Sequence, residues 1–68
     1  MRIFELHRSV DVSGVSGTGK VAEGVIFRDG TVVIHWLSTH PSTNVYESIE
    51  TLLEIHGHGG ATTVVYIS

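Results

Sequence analysis

Residues 13–20, SGVSGTGK, are the part of this sequence whose residue types and spacing most clearly suggest chemistry. From Gly14 to Lys20 they follow G-x-x-x-x-G-K, the first seven positions of a phosphate-binding P-loop. A P-loop that hydrolyses a nucleotide also needs Ser or Thr next, to hold magnesium, and a helix whose N-terminus faces the phosphates. Val21 stands in that Ser or Thr position, and the residues after it predict a strand. The motif therefore argues against a P-loop NTPase.

The same segment could hold a phosphate without hydrolysing it. Successive glycines allow backbone N–H groups to converge on an anion, and hydroxyl groups and flanking cations add hydrogen bonds to it. The residues that we predict to contact a phosphate are Arg8, Ser16, Gly17, Thr18, Gly19 and Lys20. The alternative is a plain connection between two strands, although the twelve residues 9–20 are long for one in a compact domain.

The histidines and the tryptophan could supply the rest of a binding site. Trp36 could stack on a base, and His35 or His56 could contact the base or the ribose. His40, His56 and His58 could bind zinc or nickel, but neither an H-E-x-x-H spacing nor a carboxylate pattern supports this, so we predict no metal. An imidazole could act as a general base, yet there is no G-x-S-x-G segment to supply a nucleophile. We therefore predict no catalytic residue and no enzyme.

The composition limits the class of protein. Sixty-eight residues indicate one domain, residues 1–68, and the absence of cysteine excludes disulfides and thiolate zinc sites. Four Lys and Arg against seven Asp and Glu give a net charge of −3, which argues against nucleic acid as a partner. No apolar run is long enough to cross a membrane, so we expect a cytoplasmic protein.

Loose alternation of apolar residues predicts a strand at residues 3–8, and β-branched and aromatic runs predict strands at residues 21–27 and 31–37. Asp29-Gly30 between the last two predicts a β-hairpin. A two-residue turn, which we favour because it gives one strongly apolar face, places together Val25, Phe27, Val32, Ile34 and Trp36. The opposite face then carries Gly24, Ile26, Val33, His35 and Leu37. A three-residue turn with Gly30 as a bulge is the alternative, and it mixes these two sets.

The second half of the chain predicts a helix and further strands. Ser48 is a suitable N-cap with Glu50 in the first turn, and Gly57 is a suitable C-terminal cap. One face of this helix is apolar and consists of Ile49, Leu52, Leu53 and His56. Residues 38–44 predict a loop, residues 45–46 a short edge strand, and residues 62–67 a last strand.

This order of elements predicts an α+β fold, with a small, mostly antiparallel sheet of four to five strands and one helix packed on one face. The opposite sheet face has no second layer in these 68 residues. That face is apolar enough to favour contact with another molecule, and we expect a homo-oligomer.

A longer pattern of residues resembles a set of small proteins of actinobacteria and their phages. It spans Arg8 to Thr62 and reads R-x-x-D-x-S-G-x-S-G-T-G-x-V-A-E-G-V-x-F-x-D-G-T-V, followed by W, P-S-T, S-I-E and I-H-G-H-G-G-A-T. Phages also encode small oligomeric proteins that bind nucleotide immune signals and sequester them. This chain is similar to those proteins in size, in expected self-association and in its candidate phosphate loop, which is an analogy that identifies no binding residue.

Together these observations favour non-catalytic binding of a phosphorylated, nucleotide-type small molecule. In its sharpest form, the hypothesis is a phage-encoded sponge for a cyclic nucleotide or an ADP-ribose-type signal, with no cofactor. The alternative is a protein–protein interaction module that binds a host protein through the open sheet face or an edge strand.

Overall fold

The computed structural model describes residues 1–9 and 19–68, which form five strands and one α-helix. The elements are β1 (Arg2–Arg8), β2 (Gly19–Ile26), β3 (Val32–Trp36), β4 (Ser42–Tyr46), α1 (Ile49–His56) and β5 (Thr62–Tyr66), with a short 3-10 turn at His58–Gly60. The strands form one sheet in the order β4-β3-β2-β1-β5, and each neighbouring pair is antiparallel. The predicted α+β fold is confirmed, and the small sheet with one helix on it has five antiparallel strands.

The hairpin between β2 and β3 has the three-residue turn, so the two-residue register that we favoured is wrong. The Phe27 N–H donates to the Thr31 carbonyl at 2.8 Å, and the Gly30 N–H donates to the Phe27 carbonyl at 3.0 Å. Gly30 has a φ of 94°, which glycine adopts at little steric cost. The Asp29 carboxylate also accepts the Thr31 N–H at 2.9 Å. These local bonds stabilise the longer turn, and they outweigh the preference for one uniformly apolar face.

The change of register exchanges the faces of β2, because successive strand residues point in opposite directions. The face beneath the helix carries Gly24, Ile26, Val32, Ile34 and Trp36, while the opposite face carries Val25, Val33 and His35. Val25 pairs directly with Val33 across the two strands. Both sheet faces therefore contain aliphatic side chains near the hairpin.

The helix α1 has the caps that the sequence predicts. The Ser48 hydroxyl accepts the Thr51 N–H at 3.1 Å, and the Gly57 N–H donates to the Leu53 carbonyl at 2.8 Å. A methyl group at Gly57 would collide with that same carbonyl, which explains why glycine suits this position. The central apolar residue of the helix, Leu52, is fully buried against the sheet.

The core lies between α1 and one face of the sheet. Its fully buried large side chains are Phe4, Leu6, Val21, Val32, Ile34 and Leu52. Since β4 and β5 are the two edge strands, the segment that contains α1 crosses the whole width of the sheet. Within the residues described, no helix is long and apolar enough to span a membrane.

Two strands begin at least two residues earlier than predicted, and the other strand ends agree with the prediction to within one residue. β4 begins at Ser42, so three residues assigned to the loop 38–44 belong to a strand. β2 begins at Gly19, so Gly19 and Lys20 are strand residues that pair with Arg8 and His7. Pairing with a neighbouring strand extends both elements beyond the β-branched runs that predicted them.

Candidate functional site

Polar and aromatic side chains collect at the end of the core where β1, β3 and α1 finish. Arg8 ends β1, Trp36 ends β3 and His56 ends α1. Thr62 begins β5 and pairs with Arg8, and Tyr46 reaches the same group from β4. We call these five residues the Arg8 cluster.

Arg8 is the buried cation of this cluster, with only 3% of its surface exposed. Its Nε–H donates to Thr62 Oγ1 at 3.0 Å, and the guanidinium carbon lies 6.0 Å from the centre of the Trp36 ring. An arginine side chain does not lose its proton in a protein, so this site holds a buried positive charge. Within residues 1–9 and 19–68, no carboxylate lies at ion-pair distance from it.

His56 lies between the two aromatic rings of the cluster. Its ring centre is 4.8 Å from that of Trp36, at an angle of 60°, and 5.8 Å from that of Tyr46, at 80°. The Tyr46 hydroxyl and His56 Nε2 form a hydrogen bond of 2.8 Å, which fixes the imidazole in the last turn of α1. The cluster therefore combines a guanidinium, an indole, a phenol and an imidazole, which are groups that bind anions and flat rings.

Lys20 belongs to a separate ionic network on the opposite face of the sheet. Its Nζ lies 2.9 Å from Glu5 Oε2 and 3.1 Å from Glu23 Oε2. His7 Nε2 lies 2.9 Å from the other oxygen of Glu5. Hydrogen bonds to His7 and then to Lys20 lower the pKa of Glu5 below its usual 4.5, and bonds to Glu5 and Glu23 raise the pKa of Lys20 above 10.5. The ammonium group is thus already neutralised within the chain.

The structure divides the predicted phosphate-binding residues between the two sheet faces. Arg8 lies on the helix-covered face, because it follows the buried residues Phe4 and Leu6 at the two-residue spacing of one strand face. Lys20 pairs with His7 and points to the open face. Arg8 and Lys20, which the sequence suggested would flank one cradle, therefore lie on opposite faces of the sheet.

The remaining predicted contacts are also separated. Trp36 and His56 lie beside Arg8, whereas His35 is exposed on the open face, where its Nδ1 bonds to Thr43 Oγ1 at 2.9 Å. Gly19 pairs with Arg8 and has a φ of 77°. Ser16, Gly17 and Thr18 lie outside the described residues, so their contact with a ligand stays a prediction.

Thr62 and Tyr46 are members of the cluster that sequence reasoning missed. Thr62 reaches Arg8 because β5 pairs with β1, which brings together residues 54 positions apart. Tyr46 lies ten positions from His56, with a turn and most of a helix between them. Neither contact has a local sequence signal; the only available hint was the possibility that residues 45–46 form a strand.

The described residues contain no group of three His, Asp or Glu side chains placed to hold a metal ion. Thr62 Oγ1 accepts the Arg8 Nε–H, and the Tyr46 hydroxyl is engaged with His56. The cluster is therefore organised by contacts among its own side chains, and it places a buried guanidinium beside aromatic rings.

Comparison with known proteins places the chain in a family. Neither the curated proteins nor the solved structures include a match to it. A model of a protein family described as Acb5 phage protein matches residues 1–68. This agrees with the phage part of the resemblance noted above. Because the match covers the whole sequence, the chain belongs to the Acb5 phage protein family.

Proposed function

We propose that this phage protein binds and sequesters a phosphorylated, nucleotide-type small molecule without turning it over, and that the Arg8 cluster holds the ligand. Membership of the Acb5 family suggests a phage protein of the anti-CBASS type, for which a nucleotide signal is the natural ligand class. The protein would act inside the infected cell, where such a signal is made.

The observation that carries this proposal is the buried charge of Arg8. A buried charge is costly unless an opposite charge or several hydrogen bonds compensate it. Thr62 satisfies only one donor of the guanidinium fork, whose geometry suits two oxygens of a phosphate. No carboxylate among residues 1–9 and 19–68 compensates this charge, and a bound phosphate would do so.

The neighbours of Arg8 suit the rest of a nucleotide. Trp36 offers an indole, and stacking of a base on an aromatic ring contributes about 1–3 kcal/mol. His56 lies against this indole and is held by Tyr46, and it would contact the base or a ribose hydroxyl. Trp36 lies at the end of β3, with 8% of its surface exposed.

The side chains of the Arg8 cluster are consistent with binding a ligand without reacting with it. Its two hydroxyl groups take part in hydrogen bonds to Arg8 and His56, and neither is arranged as a nucleophile beside a free base. Acb family phage proteins are typically non-catalytic sponges. Sequestration needs only slow release of the ligand.

The proposal is tested by calorimetry and native mass spectrometry with cyclic dinucleotides and cyclic ADP-ribose isomers. We expect one of these molecules to bind and to be recovered intact after denaturation. Arg8→Lys keeps the charge but loses the planar fork, and we expect it to weaken binding about 10- to 100-fold, since hydrogen bonds to charged groups contribute roughly 1.5–3 kcal/mol.

Two controls separate the cluster from other cations. Arg28→Gln removes an exposed charge in the hairpin turn, and Lys20→Met removes the ammonium on the opposite face; both should bind as the wild type does. Thermal unfolding of each variant checks that it remains folded. Loss of affinity in Lys20→Met with full affinity in Arg8→Lys would overturn the assignment to this cluster, and absence of binding by the whole panel would overturn the proposed function.

A further inference from the structure

The sheet face that α1 leaves uncovered is divided into two chemically different halves. Toward the hairpin it is apolar, and this apolar half consists of Met1, Ile3, Val25, Phe27, Val33 and Val45. Ile3, Val25, Val33 and Val45 form a continuous row across four strands, because each pairs with the next in the sheet. Ile3 is 50% exposed and Val45 is 67% exposed. No element of the described residues covers this row.

The other half of the same face is ionic, and it consists of Glu5, His7, Lys20, Glu23 and His35. Glu5, Glu23 and His35 form the neighbouring row, in register with one another. Lys20 lies within 3.1 Å of both carboxylates, and His7 lies within 2.9 Å of Glu5. These contacts satisfy the charges within the chain, so little charge remains to select an oppositely charged partner.

We propose that the apolar half is the interface of a two-fold dimer of this chain, in which two sheets pack face to face. A two-fold interface uses the same patch on both copies, so an apolar half with satisfied charges beside it is complementary to itself. The proposal is independent of the ligand site, which lies on the other face of the sheet.

The two-fold axis of this dimer could run parallel to the strands or across them, and the charges of the ionic half favour the second. An axis parallel to the strands would bury the Glu5 and Glu23 row against the same row of the second copy, which removes charged groups from water at a cost. An axis across the strands at the apolar half avoids this. It lays Ile3 and Val25 of one copy on Met1 and Phe27 of the other, and the two ionic halves then extend into water at opposite rims.

Sedimentation velocity of the protein over a concentration series tests the dimer. The six residues of the apolar half are fewer than the roughly 20–30 per partner of a standard interface, so the dimer fraction should rise with concentration. We expect Val33→Glu to be monomeric at every concentration. Val45→Glu, at a more exposed position of the same row, should behave in the same way. It keeps the test valid if Val33→Glu fails to fold.

Ile55→Glu is the matched control, because it places the same charge at an exposed aliphatic position on α1, outside the proposed interface. This variant should dimerise as the wild type does. A wild-type protein that stays monomeric at its highest soluble concentration would overturn the dimer and leave the apolar half to a foreign protein. A dimer that survives both row substitutions would also overturn it, and would move the interface elsewhere.

Discussion

The two faces of the sheet hold their charges in opposite ways. On the helix-covered face, Arg8 is buried beside Trp36 and has no carboxylate partner among the described residues. On the open face, Lys20 is partly exposed and contacts two carboxylates. The comparison teaches that the more accessible cation is the worse candidate for binding an anion, because its charge is already neutralised.

The apolar residues of the two faces also differ in their surroundings. Phe4, Ile34 and Leu52 are fully buried between the sheet and α1. The aliphatic row on the open face has the same kind of side chain but no covering element in the described chain. Burial of apolar area stabilises the folded state, so substitutions on the two faces should have very different effects on the free energy of unfolding.

The largest difference is expected for Leu52→Ala. This substitution removes a fully buried side chain between α1 and the sheet, and it should lower the free energy of unfolding by about 3 kcal/mol. A domain of this size has a total stability of roughly 3–10 kcal/mol, so the variant should be close to unfolding. Urea denaturation followed by circular dichroism measures the loss.

Ile55→Ala is the control on the same helix, where the side chain is 56% exposed. It should change the free energy of unfolding by less than about 0.5 kcal/mol, since surface substitutions have small effects. Equal losses in the two variants would show that α1 does not pack on the sheet through Leu52.

A smaller effect is expected for Gly24→Ala, which adds a methyl group beneath Phe4. The new carbon would lie 2.6 Å from Phe4 Cζ and 2.6 Å from the Val33 carbonyl oxygen. Because the carbonyl belongs to the backbone, a change of side-chain rotamer cannot relieve the collision. Overpacking of this kind costs about 1–3 kcal/mol, and thermal unfolding should show the loss.

Phe4→Leu provides a matched test of this explanation. A smaller side chain at position 4 leaves room for the methyl group, so the double variant should lose less stability than the sum of the two single variants. Strict additivity would show that the Phe4 ring does not contribute to the collision, and that the backbone of β3 alone excludes a side chain at Gly24.

Much of the fold could be predicted because its signals are local. Ser48 and Gly57 bound α1 through hydrogen bonds within a few residues, and the apolar spacing of the helix gives its buried face. The hairpin was also predictable, but its register was not. The choice between the two turns depends on the Asp29 carboxylate and the conformation of Gly30, and it decides which face each residue of β2 occupies.

The candidate site could be predicted only in part, because it depends on long-range pairing. Arg8, Trp36 and His56 were identified by residue type, but nothing near them in the sequence shows that they meet. Lys20 was placed with Arg8 on the strength of one motif. The pairing of β2 with β1 puts it on the opposite face, among carboxylates that no motif suggests.

The smallest expected effect concerns the ionic network of the open face and its dependence on pH. Hydrogen bonds to His7 and Lys20 lower the pKa of Glu5 in the folded protein below the ordinary 4.5. The unfolded chain therefore takes up this proton first as the pH falls, and the stabilisation by Glu5 is present above pH 4.5 and is lost as the pH falls through the folded pKa. The free energy of unfolding of the wild type should thus decline more steeply below pH 4.5 than that of Glu5→Gln, and salt should reduce the difference because exposed charges are screened. Parallel acid profiles would mean that the network adds no stability, and that the open face differs from the covered face in its apolar row alone.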